Sequence, residues 1–378
     1  MSKISIIFIF IFSFSKSIGQ NDLVINITEQ NNVNQLYKKD LLTKTLDSFF
    51  TVSRDYEKGI KYWEEKDLHF FGYPWDLANY GFNGDQQLLQ PVFLGAIDIV
   101  PQKKYVIKIA YVPVDSTIKS IGRVINLIGN YYDSTDKFLF ENYTNHFTRS
   151  WYKRKVGNII YFKERERDFN IKEALASDEF NNKIAKIFKS KPKEIIYYSC
   201  SDPIQLFNLQ GFDFRWEMFL SRTGGRANWG GLKPPLNHFI YSESDTEYYP
   251  HEIAHFYIGD LYTTNELCPI AMEGIATFFG GTEQRPLKEV LQSLKSYLSS
   301  HPDVSSEGLL FEDIRMDEDI SRLYATGAVI AKAIYEKNGL DGWKKWLAIP
   351  CEKMVTDLPL LLKTDKTLKE FIKQELQK

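Results

Sequence analysis

His251-Glu252-Ile253-Ala254-His255 is the stretch on which the reading of this chain turns. On a helix, residues four apart share a face, so the two imidazoles converge on one point. Glu252 stands beside the first of them, placed to take a proton from a water held there. Two imidazoles with an adjacent carboxylate make the core of a zinc site that carries its own general base. The chain has only six histidines, so the pair does not come from a histidine-rich tract. A surface helix with two solvated imidazoles spells the same five letters, and burial decides between the two.

A catalytic zinc site needs a third protein ligand, with the fourth position left open. Glu273 is the candidate. It lies in Pro269-Ile270-Ala271-Met272-Glu273-Gly274-Ile275-Ala276-Thr277-Phe278-Phe279, which predicts a second helix ending at Gly280-Gly281. A carboxylate among small and apolar neighbours is paired or metal-bound when buried. An ion pair with a Lys or Arg elsewhere is the other way to satisfy it. Pro250 restricts the start of the first helix, because proline is tolerated only in a first turn.

His251 through Phe279 resembles the core of the gluzincin metallopeptidases, in which HExxH is followed by a Glu ligand on the next helix. Within that clan it most resembles the aminopeptidase branch. His255-Phe256-Tyr257-Ile258-Gly259-Asp260-Leu261-Tyr262-Thr263 is similar to that branch's run of two aromatics, Gly, Asn/Asp, Leu and Thr. Glu273-Gly274-Ile275-Ala276-Thr277-Phe278 resembles its Glu-Gly-Phe-Ala block, and Tyr324-Ala325-Thr326-Gly327-Ala328 its Tyr-x-x-Gly-Ala block. The resemblance implies one Zn²⁺ per chain on His251, His255 and Glu273. It implies Glu252 as general base, Tyr324 as hydrogen-bond donor to the developing oxyanion, and a peptide or protein substrate.

Three departures accompany the likeness. The linker from His255 to Glu273 is one residue shorter than is usual in that branch. Thr277 stands four after Glu273, where thermolysin-like members have Asp, which leaves the partner of a ligating histidine unidentified. The glycine-rich stretch Gly225-Arg226-Ala227-Asn228-Trp229-Gly230 has Ala227 where the branch's Gly-x-Met-Glu-Asn segment carries the Glu that binds a free α-amine. Asn237 to Ser242 is expected to be the edge strand against which an extended substrate pairs.

The rest of the chain sets the context. Its 378 residues suffice for two domains, and a net charge of −2 gives no basic surplus for nucleic acid. Lys3 followed by the apolar run Ile4 to Phe14, with Ser17 and Gly19 before Gln20, has the form of a signal peptide over residues 1–19. That leader implies export to the periplasm or beyond. No later run is long enough to span a membrane. Cys200, Cys268 and Cys351 permit one disulfide and leave a thiol over. Cys268 lies near the proposed metal, where it is a ligand or a buried apolar residue.

Beyond the leader, periodicity divides the chain at residue 165. Residues 20–165 form a small α+β domain of unassigned role. A polar lead-in precedes a helix over Leu41 to Lys66. Strands are then predicted over Val92 to Val100, Tyr105 to Val114, Arg123 to Tyr132, Lys137 to Phe147 and Val156 to Lys163. Residues 166–378 hold the zincin-like catalytic domain, with a mixed sheet, the active-site helix and a mostly helical end. Its helices are predicted over Ile171 to Phe188, Leu287 to Ser299, Arg322 to Lys337 and Leu368 to Gln377, with a buried strand over Ile195 to Tyr198. The fold class is α+β. Two other functions fit the same residues: a non-catalytic binding protein on this scaffold, and a zinc hydrolase of non-peptide amides or esters.

Overall fold

A computed structural model of the chain describes residues 36–74, 89–114, 117, 121–213, 225–228, 237–261, 268–317 and 320–378. The expected leader, most of the polar lead-in and the segment 262–267 lie outside them.

The front part begins with helix α1, Lys39–Val52, whose buried stripe is Leu42, Leu46 and Phe49. The longer helix expected through Lys66 is broken. Asp55 accepts a hydrogen bond from the Lys58 amide and starts a one-turn helix α2, Tyr56–Gly59. Trp63 then turns extended and pairs with Phe140, which buries its indole against Phe49 and Phe140. Burying that indole outweighs one more helical turn. Helix α3, Glu65–Phe71, follows.

Strands β1 (Leu89–Val100), β2 (Lys104–Pro113), β3 (Arg123–Tyr132) and β4 (Lys137–Glu141) form an antiparallel sheet in sequence order. Tyr105, Ile107, Ile109 and Tyr111 of β2, at period two, pack with Ile125 and Leu127 of β3 against α1. The strand expected through Phe147 stops at Glu141. There the Asn142 side chain accepts from the Thr144 amide and caps a short helix α4, Tyr143–Phe147. A local side-chain bond of this kind competes with the ladder.

The second sheet is mixed and has the order β5-β6-β7-β9-β8. Its strands are β5 Tyr152–Val156, β6 Ile159–Lys163, β7 Ile195–Ser199, β8 Gly225–Asn228 and β9 His238–Ser242. β6, β7 and β9 run parallel, and the outer strands β5 and β8 are antiparallel to them. Pairing thus places β5 and β6 in this sheet, although both precede the division read at 165. Asn237 to Ser242, expected at the edge, is interior, since β9 has β7 on one side and β8 on the other. The outer strand is β8, where Ala227 pairs with Ile240.

Helices clothe this sheet. Helix α5, Ile171–Ile187, is capped by Asn170 and crosses from β6 to β7, and α6, Pro203–Leu209, follows β7. Beyond the sheet come α7 Pro250–Ile258, α8 Pro269–Gly280, α9 Leu287–Ser300, α10 Ser306–Phe311, α11 Arg322–Leu347, α12 Met354–Leu362 and α13 Leu368–Glu375. Gly339 interrupts α11 with φ 58°, close to the end expected at Lys337.

Tyr161, Tyr197 and Ile240 join these helices in the largest core. On the other face, Tyr198, Phe239 and Tyr241 stack with one another and with Phe71 of α3, which fastens the front part to the sheet. Cys268 and Cys351 form a disulfide with Cα atoms 5.0 Å apart, and Cys200 is a buried thiol. Cys268 is therefore neither a metal ligand nor a free apolar thiol. Among the described residues, no helix is long and apolar enough to cross a membrane.

Candidate metal centre

Proline occupies the first helical position of both α7 and α8, where its missing N–H costs nothing. α7 starts one residue before His251, so the His-Glu-x-x-His face lies in its first two turns. The helix is buried throughout: His251 is 5 % exposed, Glu252 7 % and His255 4 %. That burial removes the solvated-surface reading of the five residues. His251, Glu252 and His255 form a cluster that could hold a metal ion, with donor atoms within 4.8 Å of one another.

Glu273 comes in from α8. Its Oε2 lies 3.1 Å from His251 Nε2 and 3.5 Å from His255 Nε2. The carboxylate thus meets both imidazoles at the nitrogens that a shared ion would use. Burial opposes charge on His251, but hydrogen bonding and charge from Glu273 outweigh it and lift the imidazole to about 9. Burial likewise works against the Glu273 carboxylate, yet His255 and His251 hold it well below the usual carboxylate range. Two imidazoles and one carboxylate, converging in a buried site beside a second carboxylate, fit a divalent cation of the zinc type.

Tyr324 stands in the first turn of α11. Its ring stacks parallel to that of His251 at 5.8 Å between centroids. Burial, and after it the Glu273 and Glu252 carboxylates, push the phenol far above its ordinary range, so it remains a donor. Tyr324 reaches this position because α8 and α11 touch at backbone distance. A Cβ on Gly274 would lie 2.5 Å from the Gly327 carbonyl carbon, and one on Gly327 2.6 Å from Gly274 Cα. The glycines of the Glu-Gly and Tyr-x-x-Gly pairs are thus the contact that joins the two helices.

Sequence reasoning left the partner of the ligating histidine open. The structure supplies one as a backbone group: His251 Nδ1 lies 2.8 Å from the Gly281 carbonyl oxygen. That bond directs Nε2 toward Glu273. Gly280 lets the end of α8 press on the start of α7, since a Cβ there would lie 2.2 Å from the His251 amide nitrogen. The Thr277 hydroxyl is buried and finds no hydrogen-bond partner among the described residues.

The segment leading into α7 is held by a network that the sequence did not signal. Glu247 is fully buried and pairs with the buried Lys163 at 3.0 Å, and Lys163 also reaches Asp245 at 2.6 Å. The Glu247 carbonyl accepts from Ser177 Oγ at 2.6 Å, and its amide donates to Glu173 at 3.0 Å. A lysine in a strand and an acid in a loop, 84 positions apart, carry no local pattern that joins them. Strand β8 runs alongside α7 on the outer side of the sheet, so the stretch containing Ala227 borders the centre. The chain matches no protein-family model, no curated protein and no solved structure.

Proposed function

We propose that the protein is a zinc-dependent peptidase of the gluzincin type. The observation that carries this reading is the convergence of the buried His251 and His255 imidazoles on Glu273 Oε2, at 3.1 and 3.5 Å, with Glu252 on the same helix and the Tyr324 ring stacked on His251. A Zn²⁺ held by His251, His255 and Glu273 supplies Lewis acidity toward a carbonyl and a water acidic near neutral pH. Glu252 takes the proton of the attacking water and passes it to the leaving amine. Tyr324 donates a hydrogen bond to the carbonyl oxygen as its charge develops. Gly281 holds His251 in the tautomer that leaves Nε2 free as a donor atom toward the ion.

Strand β8 provides a sheet edge along which an extended peptide backbone can lie. With Ala227 in place of an amine-binding Glu, the site takes peptides without needing a free amino terminus. The expected leader and the Cys268–Cys351 disulfide both suit export to an oxidising compartment, periplasmic or extracellular.

Metal analysis and a peptide library test the proposal together. Purified protein is expected to hold about one zinc per chain. Glu252→Gln is expected to keep that zinc and lose about 10²- to 10⁴-fold in kcat. Peptides with blocked and free amino termini are expected to be cleaved at similar rates. Absence of zinc after reconstitution, or near-full activity in Glu252→Gln, refutes the assignment. A zinc-loaded protein that cleaves esters but no peptide makes it a different hydrolase.

A further inference from the structure

The turn that carries the Gly281 carbonyl is built in an unexpected way. Thr282 and Arg285 exchange backbone hydrogen bonds of 3.1 and 2.8 Å across Glu283 and Gln284. Both central residues have positive φ, 49° and 62°. Glycine or asparagine makes such a turn without strain, whereas Glu and Gln do not. Strain of this kind persists where the side chains are needed and their surroundings over-determine the backbone. Here the two strained residues reach different segments of the chain. Gln284 Nε2 donates to Ser244 Oγ at 3.1 Å, just past β9. Glu283 pairs with Arg315 at 3.4 Å, in the loop before α11.

Arg315 connects onward to the start of α11. It is bridged to Ser321 across the loop, and the Arg322 amide donates to the Ile314 carbonyl at 2.9 Å. Ser321 caps α11 by accepting from the Tyr324 amide at 3.3 Å. One turn therefore holds the His251 imidazole through a carbonyl and the Tyr324 helix through an ion pair.

We propose that Glu283 and Arg315 are positioning residues for the hydrolysis: their ion pair ties the turn that orients His251 to the loop that starts the Tyr324 helix, and so sets Tyr324 against His251. The proposal rests on the peptidase reading above. It predicts an effect on charge stabilisation during the reaction and little on folding or metal binding.

Glu283→Gly separates these effects, because glycine relieves the backbone strain while removing the ion pair. The variant is expected to melt at or above the wild-type temperature, to hold about one zinc per chain, and to keep KM within about twofold. Its kcat is expected to fall about tenfold, toward the loss of about a hundredfold expected for Tyr324→Phe. Affinity for a phosphinic peptide, whose anionic oxygen stands where the oxyanion forms, is expected to weaken by a similar factor. Arg315→Gln is expected to match Glu283→Gly, and the exchanged pair Glu283→Arg with Arg315→Glu to recover most of the loss.

The inference is overturned if Glu283→Gly and Arg315→Gln keep wild-type kcat and inhibitor affinity while Tyr324→Phe loses both. It is also overturned if Glu283→Gln and Arg315→Lys lose zinc or fail to fold, since the pair is then structural. A wild-type protein that binds zinc and the phosphinic peptide but cleaves no peptide ends the peptidase reading alone. The ion pair is then judged by inhibitor affinity.

Discussion

His251 and Asp67 show how the same burial gives opposite results when the neighbours differ. Around His251 the carboxylates of Glu273 and Glu252 favour the charged imidazole, and burial loses. Asp67 in α3 is buried with Glu141 and Glu64 nearby, and the Asn142 amide donates to its Oδ2, at 2.7 Å. Its Oδ1 is buried without a hydrogen-bond partner among the described residues. Burial, opposed by the Asn142 bond and reinforced by Glu141, pushes the carboxyl up to about 7. An acid with a raised folded-state pKa stabilises below its unfolded value and loses that contribution as pH rises through the folded one. Stability is therefore expected to fall between about pH 4 and pH 7, by up to roughly 4 kcal/mol from this group. Asp67→Asn keeps an acceptor for the Asn142 amide and removes the charge. It should melt higher than wild type at pH 8 and similarly at pH 4. A variant that is less stable at pH 8 refutes the account.

At the scale of elements, the centre is a junction of α7, α8 and α11, and α8 meets α11 at backbone distance through Gly274 against Gly327. Alanine in a helix interior is ordinarily favoured over glycine by about 1 kcal/mol. Here the added methyl meets backbone, which cannot move aside as a side chain can. Gly327→Ala is expected to destabilise by roughly 1–3 kcal/mol and to displace Tyr324, so kcat falls while zinc stays bound. Urea unfolding checks the sign, and a rise in stability rules out the close contact. The helices themselves were legible: Leu287 to Ser299 was expected and Leu287–Ser300 is found, because an apolar stripe at helical period is a local signal. The break after Val52 was not legible, since it depends on Trp63 finding Phe49 and Phe140. Strand order was not legible either, and β9 moved from the expected edge to the interior.

For the whole molecule, one covalent tie bears on the centre. The Cys268–Cys351 disulfide spans 83 residues and fastens the start of α8, five residues before Glu273, to the segment after α11. In the chain-entropy account, closing a loop of that length stabilises by roughly 4 kcal/mol. Cys268→Ser with Cys351→Ser is expected to lower the melting temperature by roughly 5–15 °C, as read by calorimetry of the oxidised protein. An unchanged melting temperature shows that the tie contributes nothing. Phe71 of α3 joins the stacked aromatics on the far face of the mixed sheet, away from the candidate centre.

The residues of the candidate centre were named by the sequence alone. Two imidazoles four apart on a helix, a lone carboxylate on the next one and a tyrosine in a glycine-containing block are patterns of side chains, written locally. Tertiary structure alone decided what surrounds them: the Gly281 carbonyl behind His251, the choice of Cys351 as partner of Cys268, the outer place of β8, and the turn that reaches Ser244 and Arg315. Every residue carries a carbonyl, and any acid can meet any base. Such contacts leave no mark in the sequence until packing brings distant segments together.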